Sequence, residues 1–202
     1  MKLGIYGGTF SPIHFGHIRA AENFLDSFGL DKLLVITTAL PPHKAEVVGA
    51  SADDRLWMAR LAFAGHDRVE VSDYEITRGG KSYSVLTLEH FKPGNELYML
   101  VGTDMFMTLD EWFRAADIFS LADIVLKRRE CDSQTDRLIA RKADEYRVRF
   151  GARIHIMDGA PFEVSSTGLR ELIRDGKPTG CFIPESVADY IAKNHLYKEV
   201  NI

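Results

Sequence analysis

Two patterns of hydrophobic and polar positions follow each other in turn along most of the chain. Short apolar runs, typical of buried strands, are separated by stretches in which apolar residues recur every three or four positions, as on one face of a helix. The runs predict strands over 3–6, 33–38, 69–72, 97–101, 124–126 and 153–157. Helices are predicted after residue 17, after a Ser51 cap, over 83–91, over 106–119, over 133–149, after Ser165 and after Pro184.

Strand and helix succeed each other so regularly that the predicted fold class is α/β. Repeated βα units predict a doubly wound, mainly parallel sheet with right-handed crossovers. The last two helices add a small helical part at the carboxyl-terminal end. A length of 202 residues suits a single domain, which we expect to cover residues 1–202.

Composition narrows the class of protein. A hydrophobic content of 46% and a charged content of 27% are those of a globular protein. The formal net charge of −4 disfavours a nonspecific nucleic-acid binder, which normally carries a basic excess. No signal peptide or membrane-spanning run is expected, and Cys131 and Cys181 form no C-x-x-C pair, which favours free thiols in a reducing compartment. We therefore expect a cytoplasmic protein without nucleic-acid or membrane partners, and the sequence leaves a homo-oligomer open.

Residues 7–17, reading GGTFSPIHFGH, form the turn between the first strand and the first helix, where open α/β sheets bind ligands. Gly7 and Gly8 allow a ligand to approach the backbone closely, or a positive φ, without a Cβ clash. Pro12 stiffens the turn, and Gly16 removes bulk where the helix begins. Free N–H groups and the positive dipole end of that helix favour an anion.

Two histidines lie in the same turn. His14 and His17 are three positions apart, so both imidazoles can face one side of the first helical turn. Glycines after a first strand often only make a tight turn, and a lone histidine is usually a satisfied polar residue. Two glycines, a proline and two histidines in this order are more than turn chemistry needs, and they predict a nucleotide-phosphate site.

This turn resembles the H-x-G-H motif of the nucleotidyltransferase superfamily, and its full form is similar to G-G-T-F-x-P-I-H-x-G-H of bacterial nicotinate-nucleotide adenylyltransferases. The resemblance covers nearly the whole chain and implies a Rossmann-like nucleotidyltransferase fold. It implies that His14 and His17 are catalytic, and that ATP is bound by Gly7, Gly8, Thr9, Phe10, His14, Gly16 and His17. Ser11 departs from the family, which usually has Asp or Asn at this position. The serine hydroxyl can still form the local turn bond, but it offers no carboxylate to a metal ion.

A second motif, VSSTGLR over 164–170, precedes the apolar face of a later helix. Its hydroxyl residues would cap a helix in any protein. Arg170 adds a planar cation in the first turn, and its fork suits a phosphate. In the superfamily the matching S-S-T-x-x-R motif holds the ATP triphosphate. The resemblance therefore implies a catalytic role for Arg170 and ATP binding by Ser165, Ser166, Thr167 and Arg170.

The loop after the second strand carries the string PPHK over 41–44. By itself this string is equally an exposed polyproline-like loop with a solvated lysine. It is similar to the P-x-H-K string of the nicotinate enzymes, which implies that Lys44 lies near the phosphate of the mononucleotide.

A further stretch, over 79–88, resembles the G-G-x-S-Y-T-x-x-T-L pattern of the same enzymes and implies that Tyr83 and Thr87 bind the mononucleotide. Residues 80–82, reading GKS, also imitate the end of a P-loop. The first glycine of a P-loop would fall on Glu75, so the backbone that cradles phosphate would be lacking and a P-loop is not predicted.

Gly102 and Asp104 follow the most hydrophobic predicted strand. Asp104 could hydrogen-bond a ribose hydroxyl or cap a helix, and the G-x-D of the family in this place favours the ribose of ATP. Trp112 could be a core or interface residue, and we predict that it stacks on a pyridine ring. Trp57, on an apolar helix face, is predicted to be core. No role is assigned to His66, His90, His155 and His195.

The activity implied by the resemblance is adenylyl transfer. The 5′-phosphate of nicotinate mononucleotide would attack the α-phosphorus of ATP, giving nicotinate adenine dinucleotide and pyrophosphate. ATP and nicotinate mononucleotide are therefore the expected partners. Mg²⁺ held mainly by phosphates and water is the expected cofactor, with no protein metal ligands, because the sequence shows few clustered carboxylates.

Rival interpretations stay open at this point. Phosphopantetheine adenylyltransferase shares the H-x-G-H and S-S-T-x-x-R motifs, but it is shorter and lacks the P-x-H-K string. A noncatalytic nucleotide-sensing protein could keep the same pocket. A class I aminoacyl-tRNA synthetase also uses H-x-G-H, but this chain has no room for tRNA-binding domains.

Overall fold

The computed structural model describes residues 1–41, 49–128, 133–157 and 165–198. Its strands are β1 (Lys2–Gly8), β2 (Lys32–Thr37), β3 (Val69–Ser72), β4 (Glu96–Gly102), β5 (Ala122–Lys127) and β6 (Ile154–Met157). Its helices are α1 (Phe15–Ser27), α2 (Ala52–Ala62), α3 (Tyr74–Arg78), α4 (Ser84–Phe91), α5 (Thr103–Met107), α6 (Ala115–Leu121), α7 (Ser133–Phe150), α8 (Ser166–Arg174) and α9 (Glu185–Lys193). A 3₁₀ turn covers Leu109–Glu111.

The strands form one sheet in the order β3-β2-β1-β4-β5-β6. The pairs β1/β4, β4/β5 and β5/β6 are parallel, with Leu3 opposite Leu97 and Leu97 opposite Ala122. From β1 the chain first builds outward to β3 and then returns to place β4 on the other side of β1. This reversal is the topological switch point of a doubly wound sheet, so the predicted fold class is confirmed.

Contacts divide the chain into two compact units, and the first comprises Met1–Gly7, Ala20–Leu34 and Tyr83–Pro161. Its core is the apolar middle of β4 and β5, where Leu97 is 1% exposed and Ile124 is fully buried. Gly4 lets α1 and the start of β2 pack closely on β1, because a Cβ there would lie 2.6 Å from Leu30 Cδ1 and 2.8 Å from Leu33 Cδ1.

The second unit comprises Gly8–Arg19, Val35–Ser82 and Phe162–Ile202. In it, α2 begins as predicted with a capping box: Ser51 Oγ accepts from the Asp54 N–H at 3.1 Å, and Asp54 Oδ2 accepts from the Ser51 N–H at 3.0 Å. Helix α9 joins α2 through the Tyr190 hydroxyl, which donates to Asp54 Oδ1 at 2.9 Å. The carboxyl-terminal helices therefore belong to this unit.

The stretch 106–119 is mostly helical, as predicted, but it is interrupted. The chain instead forms α5, the 3₁₀ turn and α6, with Trp112 extended at ψ 152° and Arg114 left-handed at φ 56°. The interruption is fixed by α7, because Asp110 Oδ2 accepts from Lys142 Nζ at 3.1 Å and Asp110 Oδ1 accepts from the Tyr146 hydroxyl at 3.0 Å. Such long-range bonds leave no trace in hydrophobic periodicity.

Two smaller differences concern exposure and a short helix. Trp57 is 49% exposed on α2, so the prediction that it is core is wrong: this helix buries Met58 and Ala59 and turns Trp57 outward. Helix α3 was not predicted; its last residue is Arg78, and Gly79 follows with φ 71° and ψ 174°, a backbone conformation that essentially only glycine adopts. Within the described ranges, no helix combines the length and apolar character needed to cross a membrane.

Candidate active site

The turn after β1 owes its shape to a phenylalanine. Phe10 has φ 48°, the left-handed conformation that bulky residues rarely adopt, and it is 2% exposed. A Cβ on Gly8 would lie 2.7 Å from Phe10 Cζ, so Gly8 makes room for this ring. Of the two reasons given for the glycines, a positive φ applies to neither Gly7 nor Gly8, and close approach of a ligand stays a prediction; a Cβ on Gly7 would meet nothing within 4 Å.

Three backbone N–H groups at the start of α1 already have hydrogen-bond acceptors within the protein. The Phe15 N–H donates to the Phe182 carbonyl at 2.9 Å, the Gly16 N–H donates to His14 Nδ1 at 3.1 Å, and the His17 N–H donates to the His14 carbonyl at 2.8 Å. These three amides are therefore not free, contrary to expectation, and binding of a phosphate at this end of α1 stays a prediction. The chemistry of the turn lies in its side chains.

His14 and His17 lie side by side, as their spacing predicts. Their ring centroids are 3.7 Å apart with an interplanar angle of 33°, and His14 is 7% exposed. His14 Nδ1 accepts from the Gly16 N–H, and His17 Nδ1 accepts from the His14 N–H at 3.2 Å. An accepting Nδ1 assigns the proton of each neutral imidazole to Nε2. The pair therefore offers two neighbouring N–H donors of fixed tautomer.

The amino-terminal end of α8 is attached to the same turn. Ser165 caps the helix as predicted, with its Oγ accepting from the Gly168 N–H at 3.2 Å. Ser166 Oγ donates to the Pro12 carbonyl at 3.0 Å, across a chain separation of 154 residues. The Ser166 hydroxyl thus has a structural partner in the turn.

Arg170 makes the closest link between the two motifs. Its Nη1 donates to the Ser11 carbonyl at 2.7 Å, and its Nη2 donates to Thr167 Oγ1 at 3.0 Å. The guanidinium is half-buried and Thr167 is exposed. These bonds orient the planar fork of Arg170 beside the turn that carries the histidines, so the two sequence motifs form one site in the second unit.

Arg55 is a residue of this site that sequence reasoning missed. Its side chain is 1% exposed, and its Nη1 donates to the Thr9 carbonyl at 2.9 Å and to the Thr38 carbonyl at 2.6 Å. Its Nη2 donates to the Ala39 carbonyl at 3.2 Å. Burial lowers the pKa of Arg55, while Tyr197 and Asp54 oppose that shift. The sequence signal that could have found it is an arginine next to the apolar residues of the predicted helix α2, a position that the structure shows to be buried.

The first unit holds Gly102 and Asp104 at the end of β4. Gly102 is the N-cap residue of α5, so Asp104 lies inside the first turn and is not the capping residue. Asp104 is exposed. Capping therefore does not explain Asp104, and binding of a ribose hydroxyl stays a prediction.

One of the predicted mononucleotide residues, Tyr83, forms an aromatic group with Phe113 in the same unit. Tyr83 lies 4.6 Å from Phe113, ring centroid to ring centroid, and Phe113 is 49% exposed. Trp112, the neighbour of Phe113, is half-buried, whereas Thr87 is only 3% exposed inside α4. Phe113 was not predicted from the sequence. Lys44 and the rest of its string beyond Pro41 lie outside the described residues, as does Cys131.

The remaining histidine, cysteine and acidic side chains were not predicted to belong to the site. His155 Nε2 lies 2.8 Å from Asp123 Oδ2, and Arg153 Nε also bonds Asp123, so His155 has a partner that its sequence position did not reveal. Cys181 is a free, exposed thiol. Across the described ranges no group of three or more His, Cys, Asp or Glu side chains is arranged to hold a metal ion.

Fold and site together define an α/β nucleotidyltransferase. Its sheet order, its histidine pair and the hydroxyl-rich motif at the start of α8 are those expected of the superfamily that the sequence resembles. The chain belongs to the cytidylyltransferase-like family, whose model matches residues 5–172, and within it to the nicotinate-nucleotide adenylyltransferases. The predicted class of enzyme is therefore confirmed at the level of the family.

Relatives cover essentially the whole chain. A protein of Desulfatibacillum aliphaticivorans, described as "Probable nicotinate-nucleotide adenylyltransferase", is 36% identical over 217 residues, covering 98% of this chain and 100% of that protein. One from Geobacter sulfurreducens with the same description is 36% identical over 212 residues, covering 98% of each.

Solved structures share the fold at lower identity. Plasmodium falciparum nicotinic acid mononucleotide adenylyltransferase complexed with APC gives a TM-score of 0.70 at 15% identity, over 97% of this chain and 96% of that one. The same enzyme complexed with NaAD gives 0.69 at 14% identity, over 97% of each.

Proposed function

We propose that this chain transfers the adenylyl group of ATP to nicotinate mononucleotide, releasing pyrophosphate and forming nicotinate adenine dinucleotide. The observation that carries the proposal is the hydrogen bond from Arg170 to the Ser11 carbonyl, because it brings the guanidinium of the second motif to the turn that carries the two histidines. Family membership and relatives that share nearly the full length support it. The reaction consumes two small molecules, and we place it in the cytoplasm.

The chemistry requires no nucleophile from the protein. The 5′-phosphate of the mononucleotide is already an anion, so its oxygen attacks the α-phosphorus of ATP while the bond to pyrophosphate breaks. Alignment of the two substrates can supply about 7–11 kcal/mol of the barrier. The remaining task is to stabilise negative charge on the bridging and leaving oxygens.

His14, His17 and Arg170 carry that task in our proposal. The two Nε2–H donors are fixed by their accepting Nδ1 atoms, so they need little reorganisation when charge develops. Stacking at 3.7 Å disfavours two positive rings side by side, so the pair acts best as hydrogen-bond donors. Arg170 supplies the full positive charge.

The resemblance assigns further residues of each unit to ATP. Thr9 and Phe10 shape the turn, Ser165 and Thr167 lie at the beginning of α8, and the first amides of that helix have no intrahelical partner. Asp104 would accept from a ribose hydroxyl. The absence of a side chain lets ATP approach the backbone at four glycines: Gly7, Gly8, Gly16 and Gly102. Ser166 donates a hydrogen bond to the Pro12 carbonyl and so supports the turn.

Mg²⁺ fits this donor set as a phosphate-bound ion. The described residues offer no cluster of carboxylates, and Ser11 has a hydroxyl where relatives of the motif have Asp or Asn, so phosphate oxygens and water would be its ligands. When bound, the ion neutralises charge on the triphosphate.

The mononucleotide is assigned to the aromatic group. Tyr83 and Phe113 already contact each other, and a pyridine ring would stack on Trp112 or Phe113 at exposed aromatic surface. Lys44 would meet the 5′-phosphate. Thr87, which the resemblance also assigns to the mononucleotide, lies buried inside α4.

A substrate panel tests the proposal. The full-length protein is incubated with Mg²⁺, ATP and one of three acceptors: nicotinate mononucleotide, nicotinamide mononucleotide or phosphopantetheine. Pyrophosphate release is followed, and the product mass is determined. We expect release with the nicotinate compound and a mass that corresponds to nicotinate adenine dinucleotide. Preference for phosphopantetheine, or ATP binding without any pyrophosphate, would contradict the proposal and identify the rival activity.

A further inference from the structure

Tyr197 is a buried tyrosine held in an uncommon backbone conformation. It has φ 62° and is 7% exposed, although it comes after the last helix of the chain. A left-handed tyrosine costs free energy and persists only where its surroundings hold it. The tail is held by the Leu196 N–H, which donates to the Ile191 carbonyl at 3.0 Å, and by the Tyr197 N–H, which donates to the Gly49 carbonyl at 3.2 Å.

The ring of Tyr197 lies against a glycine that leaves space for it. A Cβ on Gly49 would lie 2.8 Å from Tyr197 Cδ1 and 3.2 Å from its Cα. Gly49 has φ 88°, so it also needs the conformational freedom of glycine. The position of this ring is therefore set by two separate parts of the second unit.

The hydroxyl of Tyr197 reaches the phosphate turn. It lies 3.1 Å from Ser11 Oγ in a buried hydrogen bond that spans 186 positions of the chain, and Ser11 is 4% exposed. The Ser11 carbonyl in turn accepts from Arg170 Nη1 at 2.7 Å. One residue thus separates the tail hydroxyl from the guanidinium that we assign to the triphosphate.

Electrostatics agree with this placement. Burial raises the pKa of Tyr197 to about 12, and the hydrogen bond with Ser11 and the charges of Arg170 and Arg55 oppose that shift. The hydroxyl therefore remains protonated at neutral pH and can donate. Ser11 is the position at which the chain departs from the resembled motif, and its short side chain bonds to Tyr197.

We propose that Tyr197 is a positioning residue for ATP binding, which fixes Ser11 through its hydroxyl and thereby sets the orientation of Arg170. The proposal rests on the proposed function for the identity of the nucleotide. It assigns the residues after α9 a role in the site, in addition to any role in the stability of the second unit.

The test uses three variants of the full chain. Tyr197→Phe keeps the ring against Gly49 and removes only the hydroxyl, Ser11→Ala removes the partner, and the double variant removes both. The control is Tyr190→Phe, which removes another hydroxyl of the same carboxyl-terminal region, one that bonds Asp54 rather than the turn. Affinity for a nonhydrolysable ATP analogue is measured by calorimetry, together with KM for each substrate and the unfolding temperature.

Loss of one hydrogen bond predicts that Tyr197→Phe and Ser11→Ala each weaken analogue binding by about 2- to 10-fold. KM for ATP rises by the same factor and KM for the mononucleotide does not change. The double variant binds the analogue no more weakly than the weaker-binding single variant, because each single substitution already removes the same hydrogen bond. Tyr190→Phe leaves analogue affinity unchanged while lowering the unfolding temperature as much as Tyr197→Phe does.

Unchanged affinity in Tyr197→Phe would overturn the proposal, as would equal weakening by Tyr190→Phe or strictly additive effects in the double variant. Analogue binding is measured without turnover. If the wild-type protein binds the analogue but releases no pyrophosphate, the proposed function fails, and the affinity comparison still decides the role of Tyr197.

Discussion

The two groups of candidate site residues differ in how completely the protein holds them. In the second unit, the turn from Gly8 to His17 is bonded by Arg55, Arg170, Ser166 and Tyr197, and both imidazoles have fixed tautomers. In the first unit, Tyr83 and Phe113 contact each other, but Phe113 is half exposed. Donors that meet charge in a transition state gain from being fixed in advance, whereas a ring that stacks on a ligand needs open surface.

The largest effect is expected from His17→Ala. Loss of one prepositioned donor to the developing charge should lower kcat by about 10²–10³-fold, with a smaller change in either KM. The measurement is steady-state pyrophosphate release. His90→Ala, which removes an exposed histidine of α4, is the control and should keep kcat. Equal turnover by a folded His17→Ala protein would remove His17 from the mechanism.

The framework of the turn is tested by Arg55→Met. This change keeps an unbranched, mostly apolar side chain but removes the donors to the half-buried carbonyls of Thr9, Thr38 and Ala39. Loss of these three bonds should lower the free energy of unfolding by about 2–4 kcal/mol. Denaturant unfolding gives the value. Arg60→Met is matched, since Arg60 lies on the same helix in an exposed pair with Asp73 and should cost no more than about 0.5 kcal/mol. A similar loss in both variants would mean that Arg55 has no special role.

The aromatic group is tested by comparing the two tryptophans of the chain. Trp112→Ala should raise KM for nicotinate mononucleotide by about 5- to 100-fold, the range for loss of a stacked ring, and leave KM for ATP unchanged. Trp57→Ala removes the exposed tryptophan of α2 and should change neither constant. Equal increases in both KM values for Trp112→Ala would contradict its assignment to the mononucleotide.

The smallest effect concerns the support of the segment that carries Trp112. Burial raises the pKa of Asp110, but hydrogen bonds from Lys142 and Tyr146 outweigh it and hold this pKa below its usual range. A lowered folded-state pKa stabilises the fold above the unfolded value of about 3.9, and the contribution disappears as the pH falls through the folded value.

Asp110→Asn should therefore lower the free energy of unfolding by about 1 kcal/mol at pH 7, with the difference from wild type shrinking below about pH 4. Unfolding curves at several pH values measure this. Asp144→Asn on α7, whose side chain is 75% exposed in its pair with Arg147, is the control and should show almost no difference. A difference for Asp110→Asn that does not shrink as the pH is lowered below about 4 would contradict the assigned carboxylate bonds.

Local patterns predicted the parts of the molecule that local physics controls. The strands are apolar because a parallel sheet is buried on both faces, and Ser51 and Ser165 cap their helices as hydroxyl residues do. The spacing of His14 and His17 placed their rings together for the same reason. Domain organisation as a single unit over 1–202, the oligomeric state and a cytoplasmic location stay predictions.

Residues whose partners are distant in sequence were not predictable in this way. Arg55 contacts carbonyls 16, 17 and 46 positions away, and Tyr197 contacts Ser11 186 positions away. Phe10 has the left-handed conformation that local preference assigns to glycine, and its ring packs against Gly8. In each case tertiary packing outweighed the local preference, and no spacing rule describes it.

The central claim is that His14, His17 and Arg170 bind one triphosphate. A crystal structure of the protein with a nonhydrolysable ATP analogue and Mg²⁺ tests it most directly. We expect both Nε2 atoms and the Arg170 guanidinium within hydrogen-bond distance of phosphate oxygens of the same analogue molecule. An analogue whose phosphates contact Arg170 but neither histidine, or none of the three, would contradict the account.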